Sequence, residues 1–218
     1  MGEQHAPARN STRLTDPRAL RAYAHPVRMA LVGLLRTEGP LTATRAAEIL
    51  GESSGTCSFH LRQLAKYGLV EEAGGGTGRE KPWRATALFT SVPPTADTPE
   101  GTAAVGSFYS ALAESYFDRL RDWLTARGRE PGEWQEAAIF GDRLLYLTPE
   151  ELASLGARIG ELLDAYTERL TDPQLRPAGS RQVTYVQFAF PRQQPGGGDA
   201  ADGTTADGST ADGDGESG

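Results

Sequence analysis

Apolar positions in the first ninety residues recur at helical spacing, punctuated by residues that cap or break helices. Asp16-Pro17 reads as a helix start, with an acid at the N-cap and proline at the first helical position, where its missing N–H costs nothing. A second start follows at His25-Pro26. From there Val27, Ala30, Leu31, Leu34 and Leu35 form one stripe until Glu38-Gly39-Pro40 ends the helix. Thr42 caps a short helix whose apolar side is Ala46, Ala47, Ile49 and Leu50, stopped by Gly51. Ser53 opens another, with Cys57, His60, Leu61 and Leu64 on one face, ending near Tyr67-Gly68. Leu69 to Glu72, the glycine-rich turn from Ala73 to Gly78, and Arg79 to Thr86 predict a β-hairpin with a long tip.

Ser91 to Pro99, with three prolines, reads as a linker and a domain boundary. Beyond it Val105, Phe108, Leu112, Tyr116, Leu120, Trp123 and Leu124 predict one long amphipathic helix. Ile139-Phe140 and Leu144 to Leu147 suggest a short hairpin or strand over residues 137–147. Thr148-Pro149-Glu150-Glu151 is a strong helix start, because Thr caps and Glu151 is placed to return the capping-box bond. That helix presents Leu152, Leu155, Ile159, Leu162 and Tyr166 in steps of three and four. Val183 to Phe190 alternates as a strand and stops at Pro191.

Charge changes the picture, because the formal net charge of −7 is unevenly spread over the 218 residues. Residues 1–92 carry 12 bases against 8 acids, a balance of +4, and residues 93–218 carry −11. Residues 193–218 hold six acids, no base and no large apolar side chain, so they cannot bury enough surface to offset the entropy of ordering them. They read as a disordered acidic tail, and residues 1–15, with Arg9 and Arg13, as a flexible arm. A single cysteine, Cys57, excludes an internal disulfide framework. No apolar run approaches the roughly 18 residues of a membrane helix, and no signal-type apolar stretch opens the chain, so a cytoplasmic protein without membrane contact is expected.

The stretch from Thr42 to Tyr67 carries the functional argument. Two helices around a tight turn at Gly51 match the helix-turn-helix layout, in which the second helix enters the major groove of double-stranded DNA. Ser53 stands at the start of that second helix, and its outer side carries Ser54, Thr56, Ser58, Phe59, Arg62 and Gln63. Small hydroxyl residues allow close approach and donate to phosphates or base edges, Arg62 reaches a guanine edge or a phosphate, and Phe59 suits a thymine methyl. Arg79, Lys81 and Arg84 on the hairpin would track the neighbouring phosphate backbone or the minor groove. A hairpin after the helix pair makes this the winged form. The expected fold is mainly α with small β elements: the arm, a winged helix-turn-helix domain over 16–90, a linker over 91–101, a small α+β domain over 102–192 for dimerisation or effector sensing, and the tail.

The block from Ala24 to Leu35 (AHPVRMALVGLL) and that from Ser58 to Val70 (SFHLRQLAKYGLV) resemble the ArsR-type winged helix-turn-helix transcriptional regulators. The resemblance covers roughly residues 16–90. It implies a homodimer on a palindromic operator, with the helix from Ser53 as reader and the hairpin as wing. Leu147 to Leu152 and Phe188 to Pro191 resemble the C-terminal extension of a longer actinobacterial-type subgroup. Metal-sensing members carry paired cysteines on the helix before the reader, or Asp, His and Glu ligands on a terminal dimer helix. The helix from Thr42 to Leu50 has neither cysteine nor histidine. Cys57 and His60 lie three apart and share a helix face, but packing on the domain core is the favoured role for both. No metal and no cofactor are therefore expected.

The aromatic set Phe108, Tyr109, Tyr116, Trp123, Trp134 and Tyr146 suits either a small-molecule effector pocket or a packed core, and the stripe from Leu152 to Tyr166 suits core or a dimer seam. An enzyme is not expected: three histidines, no glycine-rich phosphate loop and no nucleophile elbow leave no site for catalysis. The leading expectation is a dimeric, sequence-specific DNA-binding regulator. The alternative is a protein-interaction module using the winged fold and the acidic half.

Overall fold

The computed structural model describes residues 10–75 and 81–192. The elements, in chain order, are β1 (Ser11–Arg13), α1 (Pro17–Tyr23), α2 (Pro26–Thr37), α3 (Ala43–Leu50), α4 (Ser54–Ala65), β2 (Val70–Glu72), β3 (Trp83–Ala85), β4 (Phe89–Ser91), α5 (Pro99–Ala126), α6 (Gly132–Ala137), α7 (Pro149–Asp164) and α8 (Glu168–Thr171). The chain divides into two units, Met1–Thr184 and Tyr185–Gly218. Of the second, residues 185–192 are described, without regular secondary structure. The protein is mainly α-helical with short strands, as the hydrophobic pattern predicts. The helix-turn-helix lies in its N-terminal part.

Helix starts fall where the caps demand them. The Asp16 carboxylate accepts from the Arg18 amide at 2.8 Å, the Thr42 hydroxyl from Arg45 at 3.1 Å, and the Ser53 hydroxyl from Thr56 at 3.0 Å. Gly51 ends α3 in the left-handed region at φ 68°, its amide returning to the Ala47 carbonyl, and so creates the turn into α4. At α7 the Thr148 hydroxyl and the Glu151 carboxylate close a reciprocal capping box.

The core sits beneath this helix pair. Leu20 of α1, Leu31, Val32 and Leu35 of α2, Ala46 and Ala47 of α3, and Cys57, Leu61 and Leu64 of α4 form one buried cluster with Leu69, Val70, Val105 and Phe108. The first turns of α5 pack on α1, where the Tyr23 and Phe108 rings lie 5.7 Å apart. Gly101 makes that entry possible: a Cβ there would stand 2.7 Å from the Ala96 Cβ. β2 and β3 pair antiparallel, with Glu71 opposite Arg84 and Glu72 opposite Trp83, and Leu41 bridges to Trp83. The Arg36 guanidinium donates to the Ala87 carbonyl at 2.9 Å and the Thr90 hydroxyl at 2.7 Å, tying α2 to the chain that leaves the hairpin.

Two features depart from the sequence reading. The arm expected through residue 15 is ordered from Ser11, because β1 pairs in parallel with β4, Ser11 opposite Phe89 and Arg13 opposite Ser91, and Leu14 is buried. Beyond Ser91, no strand forms among the described residues. Neither the hairpin or strand expected over 137–147 nor the strand expected over 183–190 forms there, and the apolar side chains that suggested them are largely left in solvent, with Ile139 91 % exposed. An alternating segment becomes a strand only when a neighbour takes its backbone groups and a surface covers one face. The acidic tail and the tip residue Arg79 lie outside the described residues.

Candidate nucleic-acid interface

Helix α4 has two sides with opposite tasks. Cys57, His60, Leu61 and Leu64 face the core, so the favoured packing role for Cys57 and His60 is the one the structure contains. Burial, and secondarily Glu52, push the Cys57 thiol above its ordinary range, which makes it a poor nucleophile. On the other side Ser54, Ser58 and Arg62 follow one another at intervals of four, one turn apart, along an open groove of about 420 Å³. Thr42, Ala43 and Thr44 at the start of α3 line its far edge, and Glu72, Lys81 and Trp83 of the hairpin close its end. Gly55 also lines it, and its missing side chain lets a ligand approach the backbone at the helix start.

The predicted contact residues thus fall into four groups. Ser54, Ser58, Arg62 and Lys81 come together around the groove. Ser53 and Thr56 are engaged in the cap, their hydroxyls 2.8 Å apart. Phe59 is half exposed, and Gln63 follows it one turn later on a neighbouring stripe outside the groove lining. Arg84 stands apart, since its neighbour Trp83 takes the groove side of β3 and the side chain of the next residue points to the opposite face. Sequence reasoning missed Thr42, Thr44, Glu72 and Trp83. Thr42 was recognisable only as a cap, and the Trp83 contact depends on the hairpin register.

Electrostatics distinguish α4 from the hairpin. Arg62 donates to the Ser58 hydroxyl at 3.1 Å and makes no ion pair among the described residues. Lys81 pairs with Glu72 and Arg84 with Glu71, each at 2.7 Å. Both pairs are well exposed, and such contacts contribute only about 0–1 kcal/mol, so a phosphate can displace either glutamate. The groove therefore offers one unpaired guanidinium, one exchangeable ammonium, two serine hydroxyls and a helix N-terminus. That donor-rich set suits an extended anionic partner.

The aromatic set of the second half does not gather into one pocket. Phe108 is buried in the core, Tyr109 donates to the Val92 carbonyl at 3.1 Å, Trp134 lies 5.2 Å from the Arg181 guanidinium, and Tyr146 is fully exposed.

Residues 23–73 match the family described as a helix-turn-helix domain. That span runs from the end of α1 through α4 and β2, and the chain carries such a domain there. A solved structure described as a possible transcriptional regulator for arsenical resistance is 28 % identical and is matched over 48 % of this chain and 94 % of its own length, with a TM-score of 0.29. No curated protein matches the chain.

Proposed function

We propose that this protein is a transcriptional regulator that binds double-stranded DNA through α4 and the hairpin, as a homodimer on a palindromic operator. The observation that carries the reading is the alignment of Ser54, Ser58 and Arg62 with Lys81 around a single groove at a helix-turn-helix. Arg62 reads a base edge or fixes a phosphate, the serines position the backbone, and Lys81 exchanges Glu72 for phosphate. A single winged module has a small footprint, so useful specificity calls for two copies and two successive major grooves. The exposed Phe117 and Leu124 on the far half of α5, together with Leu162 on α7 and Tyr166 in the turn after it, supply apolar surface for the seam. Effector control belongs to the same C-terminal part.

The test is a titration of the whole protein against genomic fragments, selected for binding and footprinted, at several salt concentrations. A steep loss of affinity with salt supports phosphate contacts. A shallow slope favours the protein-interaction reading, in which α4 meets another polypeptide.

A further inference from the structure

Behind the reader helix lies a pair of histidines that the groove does not use. His60 projects from the inner face of α4 among Cys57, Leu61 and Leu64, and is 9 % exposed. His25 occupies the N-cap of α2 but makes no capping bond. The two rings are 4.6 Å apart and tilted by 41°. Nδ1 of each ring and Nε of Arg28 are buried and have no hydrogen-bond partner among the described residues. Three such atoms in one place are unusual, since buried polar groups are nearly always satisfied.

We propose that the His25–His60 pair is an acid-sensitive latch, which seats α4 while both rings are neutral and releases it, weakening DNA binding, when they take up protons. The latch rests on the DNA-binding reading of α4 given above. The groups facing the pair decide its sense. Arg28 faces it from α2, Glu52 from the turn between α3 and α4, and each histidine faces the other. Tyr67 acts on Arg28, and Cys57 shares the influence of Glu52. Burial is the main cause that holds both imidazoles below the ordinary histidine range; Arg28 adds to it at His25, and His25 and Arg28 add to it at His60. Among the described residues, Glu52 alone opposes them. One proton can be held against Glu52. A second sets two imidazolium rings beside a guanidinium in a space with a single acid, and the nearest relief is movement of α4 away from α2. The folded pKa values are lowered, so the released state binds protons more readily, and release grows as pH falls below about 6.5. His60 is also in edge contact with Phe59 at 5.3 Å, so a shift of the inner ring carries directly to the outer face.

The experiment uses the whole chain and a fluorescein-labelled duplex of mixed sequence at constant ionic strength. Between about pH 7.5 and about pH 5.5 wild-type affinity is expected to fall roughly tenfold. Simple gain of positive charge would raise affinity for a polyanion, so the sign alone is diagnostic. His60→Phe keeps a ring and removes the titration, and its affinity is expected to stay level or rise over the same range. Should His60→Phe fail to fold, His25→Gln removes the neighbouring charge, and its affinity is expected to fall, on a logarithmic scale, by less than half as much as that of the wild type. Amide exchange, read without DNA, gives an independent arm: protection in α4 is expected to drop on acidification in the wild type and to hold in His25→Gln. Wild-type affinity that stays level or rises, or variants that lose affinity as the wild type does, would overturn the latch, and so would acid-stable protection in α4. A chain that binds no duplex at any pH, with α4 still acid-labile, would keep the latch and sink the DNA-binding reading.

Discussion

Helices α4 and α7 are both amphipathic and both properly capped, yet only one buries its stripe. Cys57, Leu61 and Leu64 of α4 are fully enclosed, whereas Leu162 of α7 is 70 % exposed and Tyr166, just past its end, 59 %. The difference lies in what stands opposite. α4 meets α1, α2, α3 and β2 within about fifty residues of chain, and each contributes apolar side chains. α7 contributes no buried residue, and neither do α6 and α8. An amphipathic pattern therefore states that a face needs a cover and says nothing about which surface supplies it. In the N-terminal part the cover is local. Beyond Phe108, Ala111 and Leu112 still lean on the core, but among the described residues the large side chains of the far half of α5 and of α7 are mostly exposed, and the proposed second copy would seat there.

The largest expected effect tests that contrast directly. Leu61→Ala should cost about 2–5 kcal/mol of stability, because it empties a site enclosed on all sides. Leu162→Ala should leave the stability of dilute protein within about 0.5 kcal/mol. Urea titration of both variants measures the difference, and equal losses would mean that α7 is covered after all. Sedimentation of Leu162→Ala then sharpens the result, since weaker self-association would assign the stripe to the seam.

Next in size is Gly101→Val, which forces side-chain atoms into the 2.7 Å approach to Ala96 where α5 joins the N-terminal part. A loss of about 1–3 kcal/mol is expected, as in overpacked cores. Gly106→Val, a few residues along the same helix in open space, is the control and should cost no more than the ordinary propensity difference.

Arg62→Ala should weaken specific DNA binding by about 1–3 kcal/mol with an unchanged melting temperature, since the Arg62 side chain is exposed and, among the described residues, its guanidinium donates to Ser58 on its own helix. An unchanged titration would remove Arg62 from the interface.

The elements that were legible in the sequence share one property: the decisive interactions lie within a few residues. Asp16, Thr42, Ser53 and Thr148 each announce a helix by a bond to an amide two or three positions on. The face of α4 was readable for the same reason, since helical spacing alone separates Ser54, Ser58 and Arg62 from Cys57, Leu61 and Leu64. What escaped depends on distant partners. β1 exists only because β4 lies beside it, 78 residues further on in register. Val183 to Phe190 alternates as well as any strand, yet joins no sheet among the described residues. Trp83 and Thr42 became groove residues through a bridge between Leu41 and the hairpin, which no local pattern announces. The His25–His60 pair likewise joins the starts and faces of two different helices.

The smallest expected effect separates reader from wing. Glu72 lines the groove and holds Lys81 at 2.7 Å, so it both repels an approaching phosphate and occupies the base that would bind it. Glu72→Gln keeps the shape of the side chain and removes the charge. The exposed ion pair is worth at most about 1 kcal/mol, so stability should barely change. Affinity for DNA should rise by up to about 1 kcal/mol at low salt and show a steeper salt dependence, because a freed Lys81 releases one more counterion on binding. Glu48→Gln gives the matched control: it breaks the Arg45–Glu48 pair on α3, and neither residue lines the groove. A rise seen with both variants would reflect net charge alone, and a rise confined to Glu72→Gln would locate the effect at the end of the groove closed by Lys81.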